Sequence, residues 1–197
     1  MPARTKRRLP AYEAQSSTRA FLFSDLRDYT SFVESSGDAA AARLLREYRT
    51  LVRREVARHR GAEVKTEGDS FYVVFMSPST AIECAVAIVR AADAYTTTHP
   101  EAPLRVGVGV HAGETVEYDD QFVGSAVNVA SRLASKAGAL EVIVSDTVRG
   151  LVRTSANLEM TPRGPLQLKG VAEPIRAWTI NWRESIAPPA GPVSSSE

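Results

Sequence analysis

A lone Gly-Asp pair stands between two short strand-like runs in "KTEGDSFYVVF", residues 65–75. The runs at 62–66 and 70–75 read as strands, and Glu67, Gly68 and Asp69 between them have the turn chemistry of a hairpin. Apolar residues recur at three- and four-residue intervals before and after this unit, which predicts a helix on each side. A hairpin between two helices favours a fold that combines helices with an antiparallel sheet.

A strand is predicted at each outer end of this helix–hairpin–helix unit. "TRAFLFSD" is almost continuously apolar, which indicates a strand buried on both faces with Asp25 at its carboxyl end. "LRVGVGVHAG" alternates strictly, with valines on one face and Arg105, Gly107 and Gly109 on the other. Because this second face contains two glycines, we expect another backbone or a ligand to approach it closely. Residues 114–118 are expected to form a separate strand that pairs with this one.

The resulting order of strand, helix, hairpin, helix and strand is that of an α+β, ferredoxin-like βαββαβ core. Additional C-terminal elements follow: a helix from about Ser125, a strand at 141–145, a capped helical turn and a last strand near 177–181. In this topology the hairpin turn lies beside the carboxyl end of the first strand. Asp25 and Asp69 are therefore expected to converge.

The composition limits the kinds of partner. Lys and Arg number 24 against 23 Asp and Glu, so the net charge of +1 gives no general attraction for nucleic acid or for a membrane surface. No apolar run approaches the roughly 20 residues that a membrane segment needs. Cys84 is the only cysteine and forms no disulfide within one chain, so we expect a cytoplasmic protein. Residues 18–183 are predicted to form one domain between polar tails at 1–17 and 184–197.

Two groups of polar residues have a chemical interpretation. The carboxylates of Asp25 and Asp69 are suitable ligands for Mg²⁺, which takes one or two protein carboxylates together with phosphate oxygens. A helix cap and a turn residue are the structural alternatives for the same pair. Asn128 and Arg132 lie four apart on one helix face, where the arginine could neutralise charge at a phosphorus. Their alternative is an ordinary exposed helix face.

Five segments occur in the order and spacing of one known family: "FLFSDLRDYTSF", "VKTEGDSFYVVF", "VGVGVHAGE", "VGSAVNVASRLAS" and "LQLKGV". Together they cover about residues 18–182, and over that length the chain resembles the class III nucleotide cyclase catalytic domain. The resemblance implies a head-to-tail homodimer that converts ATP or GTP to the 3′,5′-cyclic monophosphate and pyrophosphate. It also implies two Mg²⁺ or Mn²⁺ ions in each site and an inactive monomer.

The resemblance assigns roles to the two polar groups. It makes Asp25 and Asp69 the metal ligands, with the backbone carbonyl of Leu26 also near the metal. It makes Asn128 the residue that positions the ribose and Arg132 the residue that stabilises the transition state at the α-phosphate. The metal half of each site would come from one subunit, and the purine, ribose and arginine half from the other.

Substrate choice depends on three further positions. By the same resemblance, Lys169 of "LKG" would bind the terminal phosphates, and Lys65 would read the purine, which favours ATP. Gln121 stands where the family often has a purine-reading Asp or Thr, and its amide can accept from adenine or donate to guanine. Gln121 does not decide between the two purines, and because Lys65 favours ATP we expect an adenylyl cyclase. The alternatives are a guanylyl cyclase, a degenerate nucleotide-binding module and, less well matched because it lacks "GGDEF", a diguanylate cyclase.

Two positions depart from the family pattern near the phosphates. Gly107 occupies a position where many members have a phosphate-binding arginine, and Arg105, two residues earlier on the same strand face, is the expected substitute. Asp28 stands where a glycine is frequent, and its carboxylate would be unfavourable beside a triphosphate unless it points outward. Both departures concern rate and affinity more than the type of reaction.

Overall fold

The computed structural model describes residues 16–118, 121–155 and 158–183, without the side chains of Tyr118 and Gln121. The predicted tails lie outside these residues, except that Ser16 and Ser17 open the first strand. The elements are β1 Ser16–Leu26, α1 Tyr29–Ser36, α2 Asp38–Arg58, β2 Ala62–Glu67, β3 Ser70–Phe75, α3 Pro78–Thr98, β4 Val106–Tyr118, β5 Gln121–Val123, α4 Ser125–Lys136, β6 Glu141–Ser145, α5 Asp146–Val152, β7 Met160–Leu166 and β8 Ile175–Ile180.

One sheet contains these strands in the order β2-β3-β1-β4-β6-β8-β7, with β5 paired to the end of β4. The first four of them are the ferredoxin-like core, and the remaining strands are the additional C-terminal part, so the predicted fold class is confirmed. β1 pairs antiparallel with β3 on one side and with β4 on the other. This central position explains the continuous apolar run, since Phe21 and Leu22 point to opposite faces and both are fully buried.

The prediction of a separate strand at 114–118 is wrong. β4 continues through these residues as one strand, and it pairs with β1 from Leu26↔Val106 to Ser16↔Val116. β1 is eleven residues long and supplies hydrogen-bonding partners along most of β4, so the chain does not need to turn at Gly113.

Helices cover the two faces of the sheet unequally. Ala20 and Leu22 of β1 pack into the main core, which also contains the buried residues of α2 and α3. On the opposite face Phe21 packs against Ala126 and Ala130 of α4. The polar end of β1 is thus carried on a strand that is fixed from both sides.

The two longest helices are amphipathic, and each has 21 residues. Tyr48 and Val52 are buried on the inner side of α2, whereas its outer side carries exposed arginines such as Arg53 and Arg54. Within the described part of the chain, every helix is too short or too polar to span a bilayer.

Candidate active site

The structure brings Asp25 and Asp69 together at one end of the sheet. Ser24 pairs with Phe71, so the last residues of β1 lie beside the turn that joins β2 to β3. Burial, followed by the hydrogen bond with Asp69 and the charge of that residue, raises the pKa of the Asp25 carboxyl to about 6. Two carboxyl groups that face each other in a partly buried position repel when both are ionised, and a cation between them removes that repulsion.

The donor set fits a hard divalent cation. Asp25 and Asp69 supply carboxylate oxygens, and in the described residues they belong to no group of three or more acidic, histidine or cysteine side chains. Mg²⁺ commonly binds through one or two carboxylates and completes its shell with water and substrate phosphate. The backbone N–H of Leu26 donates to Asp25, while the leucine side chain is buried in the core. The pair is therefore suited to a cation that arrives with a phosphorylated ligand.

Arg49 of α2 holds the turn that carries Asp69. Its guanidinium donates twice to the carbonyl oxygen of Gly68, from Nη2 at 2.6 Å and from Nε at 3.2 Å. Gly68 has φ +59, a left-handed conformation that glycine adopts without strain. The turn therefore depends on a glycine at this position, and the Arg49 side chain holds it against α2. Sequence reasoning missed this residue because nothing in the α2 pattern distinguishes it from the other arginines of that helix.

Replacing Arg49 with methionine is expected to weaken metal binding about tenfold, the size of effect seen when groups that orient metal ligands are removed. The reason is that the Gly68 carbonyl loses its clamp and Asp69 becomes less well placed. Calorimetric titration with Mn²⁺ measures the change. Arg46→Met, an exposed arginine on the preceding turn of α2, is the matched control and should bind Mn²⁺ like the wild type. Equal affinity in both variants would show that Arg49 does not position the ligand.

A second cluster forms between α4 and the connection from β7 to β8. Arg132 and Lys169 line one cleft of about 520 Å³, together with Lys136 and Gly170. Both side chains are exposed, and Asn128 is exposed one turn before Arg132 on α4. A cleft of this size with converging cations suits a phosphorylated small molecule.

α4 separates this cluster from the two aspartates. Ala130 and Ala134 face the sheet, since their backbones lie against Gly109 of β4. Arg132 lies two residues from each of them, about 200° around the helix, and so projects away from the sheet. Asp25, in contrast, pairs with Gly107 within the sheet. Arg132 and Asp25 of one chain therefore lie on opposite sides of α4.

The remaining predicted site residues make other contacts. Lys65 forms an exposed ion pair with Glu67 at 2.7 Å. Arg105 forms one with Asp28 at 2.8 Å, which also shows that the Asp28 carboxylate points outward to an exposed position. The side chain of Gln121 lies outside the described residues. Substrate roles for Lys65, Arg105 and Gln121 remain predictions.

The expected close approach of another backbone to the glycine face of β4 is confirmed at Gly109, whereas the neighbour at Gly107 is a side chain. At Gly109 the neighbour is the backbone of α4: a side chain there would lie 2.7 Å from the Ala130 carbonyl oxygen. At Gly107 the neighbour is the guanidinium of Arg27, whose Nε would lie 2.5 Å from an added Cβ. Arg27 was missed from the sequence, although an arginine two residues after a predicted metal ligand, beside a glycine on the adjacent strand, is a usable signal.

Residues 11–181 match the sequence pattern of the family described as "Adenylate and Guanylate cyclase catalytic domain". The chain belongs to this family. The match spans all five segments and both polar clusters, so the predicted resemblance is confirmed for the domain as a whole.

Related proteins and solved structures support the cyclase fold. A Rhizobium meliloti protein, provisionally named adenylate cyclase 3, is 28% identical over 161 residues, covering 81% of this chain and 27% of that protein. The structure of an adenylate/guanylate cyclase/hydrolase from Silicibacter pomeroyi superimposes with a TM-score of 0.78 at 27% identity, covering 84% of this chain and 97% of that one. The structure of the adenylyl cyclase CyaB from P. aeruginosa superimposes with a TM-score of 0.76 at 21% identity, covering 84% of this chain and 94% of that one. This cyclase domain thus spans about a quarter of that curated relative's length.

Proposed function

We propose that the protein is a homodimeric adenylyl cyclase that converts ATP to 3′,5′-cyclic AMP and pyrophosphate. The observation that carries the proposal is the separation of the two polar clusters by α4. The aspartate pair and the Asn128–Arg132–Lys169 group each have half of the chemistry that cyclisation needs. The halves become complete when two copies of the chain face each other, which gives a dimer with two equivalent sites.

The aspartate half binds the cations that accompany the nucleotide. Asp25 and Asp69 would hold Mg²⁺ or Mn²⁺, two per site, with the carbonyl of Leu26 as a further ligand. When bound, such ions lower the pKa of the ribose 3′ hydroxyl and neutralise phosphate charge. Arg49 keeps Asp69 in place for this role by fixing the Gly68 carbonyl.

The other half orients the nucleotide and stabilises the charge that develops. The 3′ oxygen attacks the α-phosphorus, the bond from that phosphorus to the bridging oxygen breaks, and pyrophosphate leaves with the electron pair. The hydroxyl proton passes to solvent. Asn128 positions the ribose, Arg132 donates to the α-phosphate oxygens, and Lys169 binds the terminal phosphates as a point charge.

Lys65 is the proposed purine-reading residue and favours ATP, because its ammonium can donate to an acceptor nitrogen of adenine. Replacing it with glutamate is expected to shift the ratio of ATP to GTP activity about 10- to 100-fold towards GTP, the value of one charge-assisted hydrogen bond. Rates with each nucleotide at subsaturating concentration measure the ratio. Glu67→Gln, which changes only the ion-pair partner of Lys65, should preserve the preference for ATP. An unchanged ratio in Lys65→Glu would exclude Lys65 from purine recognition.

The proposal is tested by the product. Purified protein is incubated with Mn²⁺ or Mg²⁺ and either ATP or GTP at concentrations that favour dimers, and cyclic nucleotides are quantified by mass spectrometry. Cyclic AMP as the main product supports the proposal. Cyclic GMP as the main product would instead establish a guanylyl cyclase, and no cyclic product from either nucleotide would leave a binding module.

A further inference from the structure

Arg27 is held in a defined position next to the proposed metal ligands. It follows β1 directly, and its Nη2 donates to the carbonyl oxygen of Ala134 in α4 at 2.5 Å. Its Nη1 lies 3.8 Å from Oδ2 of Asp25, which is an ion pair but too long for a hydrogen bond. The side chain is only 21% exposed. The Arg27 guanidinium is therefore held in place, but within the described residues most of its N–H groups have no hydrogen-bond acceptor.

The absence of a side chain at Gly107 leaves space for the Arg27 guanidinium. Gly107 pairs with Asp25 across β1 and β4, and a Cβ at Gly107 would lie 2.5 Å from Nε and 2.6 Å from Nη2 of Arg27. The guanidinium thus occupies the space that any side chain at position 107 would need. An arginine two residues beyond the metal ligand reaches the face of β4 where this chain has no side chain of its own.

The donor inventory points to an anion. A guanidinium has five N–H groups, and one of those of Arg27 is used by Ala134. Within the described residues Nε is buried without a hydrogen-bond partner, and Nη1 has only the distant carboxylate of Asp25. A fixed arginine with spare donors beside a pair of cation-binding carboxylates has the chemistry of a phosphate ligand.

We propose that Arg27 binds a phosphate group of the nucleotide in the aspartate half of the site. This assignment rests on the proposed function, because it takes the ligand to be a metal-bound triphosphate. Arg105 is the competing candidate, but its exposed guanidinium is already engaged by Asp28 at 2.8 Å. Arg27 is closer to Asp25 and is anchored by α4 rather than by a surface carboxylate.

The test uses inorganic tripolyphosphate with Mn²⁺ as the probe, titrated calorimetrically into the full chain. Arg27→Met and Gly107→Ala should each weaken binding about 10- to 100-fold, since either change removes the guanidinium from its position. The double variant should bind no more weakly than either single variant, because both act through the same group. Arg19→Met, at the other end of β1, is the control and should bind like the wild type, as should Arg105→Met.

Four results separate the possibilities. Wild-type affinity in both Arg27→Met and Gly107→Ala, or a loss confined to Arg105→Met, would overturn the proposal. Because the atoms nearest to the added methyl of Gly107→Ala belong to the Arg27 guanidinium and not to the α4 backbone, that variant provides the test even if Arg27→Met fails to fold. Loss of tripolyphosphate binding in a protein that forms no cyclic product would support Arg27 as a phosphate ligand while refuting the cyclase function. Formation of a cyclic product by a protein whose tripolyphosphate binding does not depend on Arg27 would support the cyclase function and refute Arg27 as a phosphate ligand.

Discussion

Alanine at Gly109 is expected to destabilise the protein by about 3 kcal/mol, at the upper end of the cost of overpacking a core. A Cβ at this position meets the α4 backbone at Ala134 and lies 2.7 Å from the Ala130 carbonyl oxygen. Backbone atoms cannot rotate away as the end of a side chain can, so the whole of α4 must shift away from β4 to relieve this contact. The expected fall in melting temperature is about 6–12 °C for a chain of this size.

Gly107→Ala is the matched control for this change. It adds the same methyl group to the same face of the same strand, but the contact is with the Arg27 guanidinium, which can move without displacing a helix. Its cost should be smaller, about 1.5 kcal/mol, because Arg27 gives up its hydrogen bond with Ala134 while the α4 backbone stays in place. Urea unfolding monitored by circular dichroism compares the two variants. If Gly109→Ala is as stable as Gly107→Ala, α4 does not pack on β4 as described.

The convergence of Asp25 and Asp69 could be predicted because it depends only on strand order. A buried strand that ends in a carboxylate and a hairpin turn that carries another meet whenever the hairpin pairs antiparallel with that strand, as β3 does with β1. The apolar runs and the alternating pattern of β4 are strong local signals for these elements. The predicted roles of Asn128, Arg132 and Lys169 come from the family resemblance and not from the strand order.

The surrounding contacts of the site could not be predicted in the same way. Arg49 and Arg27 act on Gly68 and Ala134, partners that are distant in the sequence and become neighbours only through helix placement. Likewise, the extension of β4 beyond Gly113 depends on where β1 begins, and the polar residues near Ser16 give no sign of a strand. Such features are set by tertiary packing rather than by local pattern.

Asp25→Ala and Arg132→Ala are each expected to abolish activity, because each removes one half of both sites in a homodimer. Loss of the arginine alone is worth about a hundred- to a thousandfold in rate, by analogy with other preorganised donors at a developing charge. Loss of a cation-binding carboxylate removes the charge neutralisation that the triphosphate requires. The two lesions lie on opposite sides of α4 and should therefore be separable between subunits.

Mixing these two inactive variants tests the central claim most directly. In a mixed dimer one site has both lesions and the other has none, so statistical exchange should restore about a quarter of the wild-type activity. A mixture of Asp25→Ala with Asp69→Ala is the control, since both lesions affect the metal half and neither site is intact. Cyclic nucleotide formation by the first mixture and none by the second is the predicted result. Absence of recovery in the first mixture, with subunit exchange demonstrated by native mass spectrometry, would contradict a site shared between two subunits.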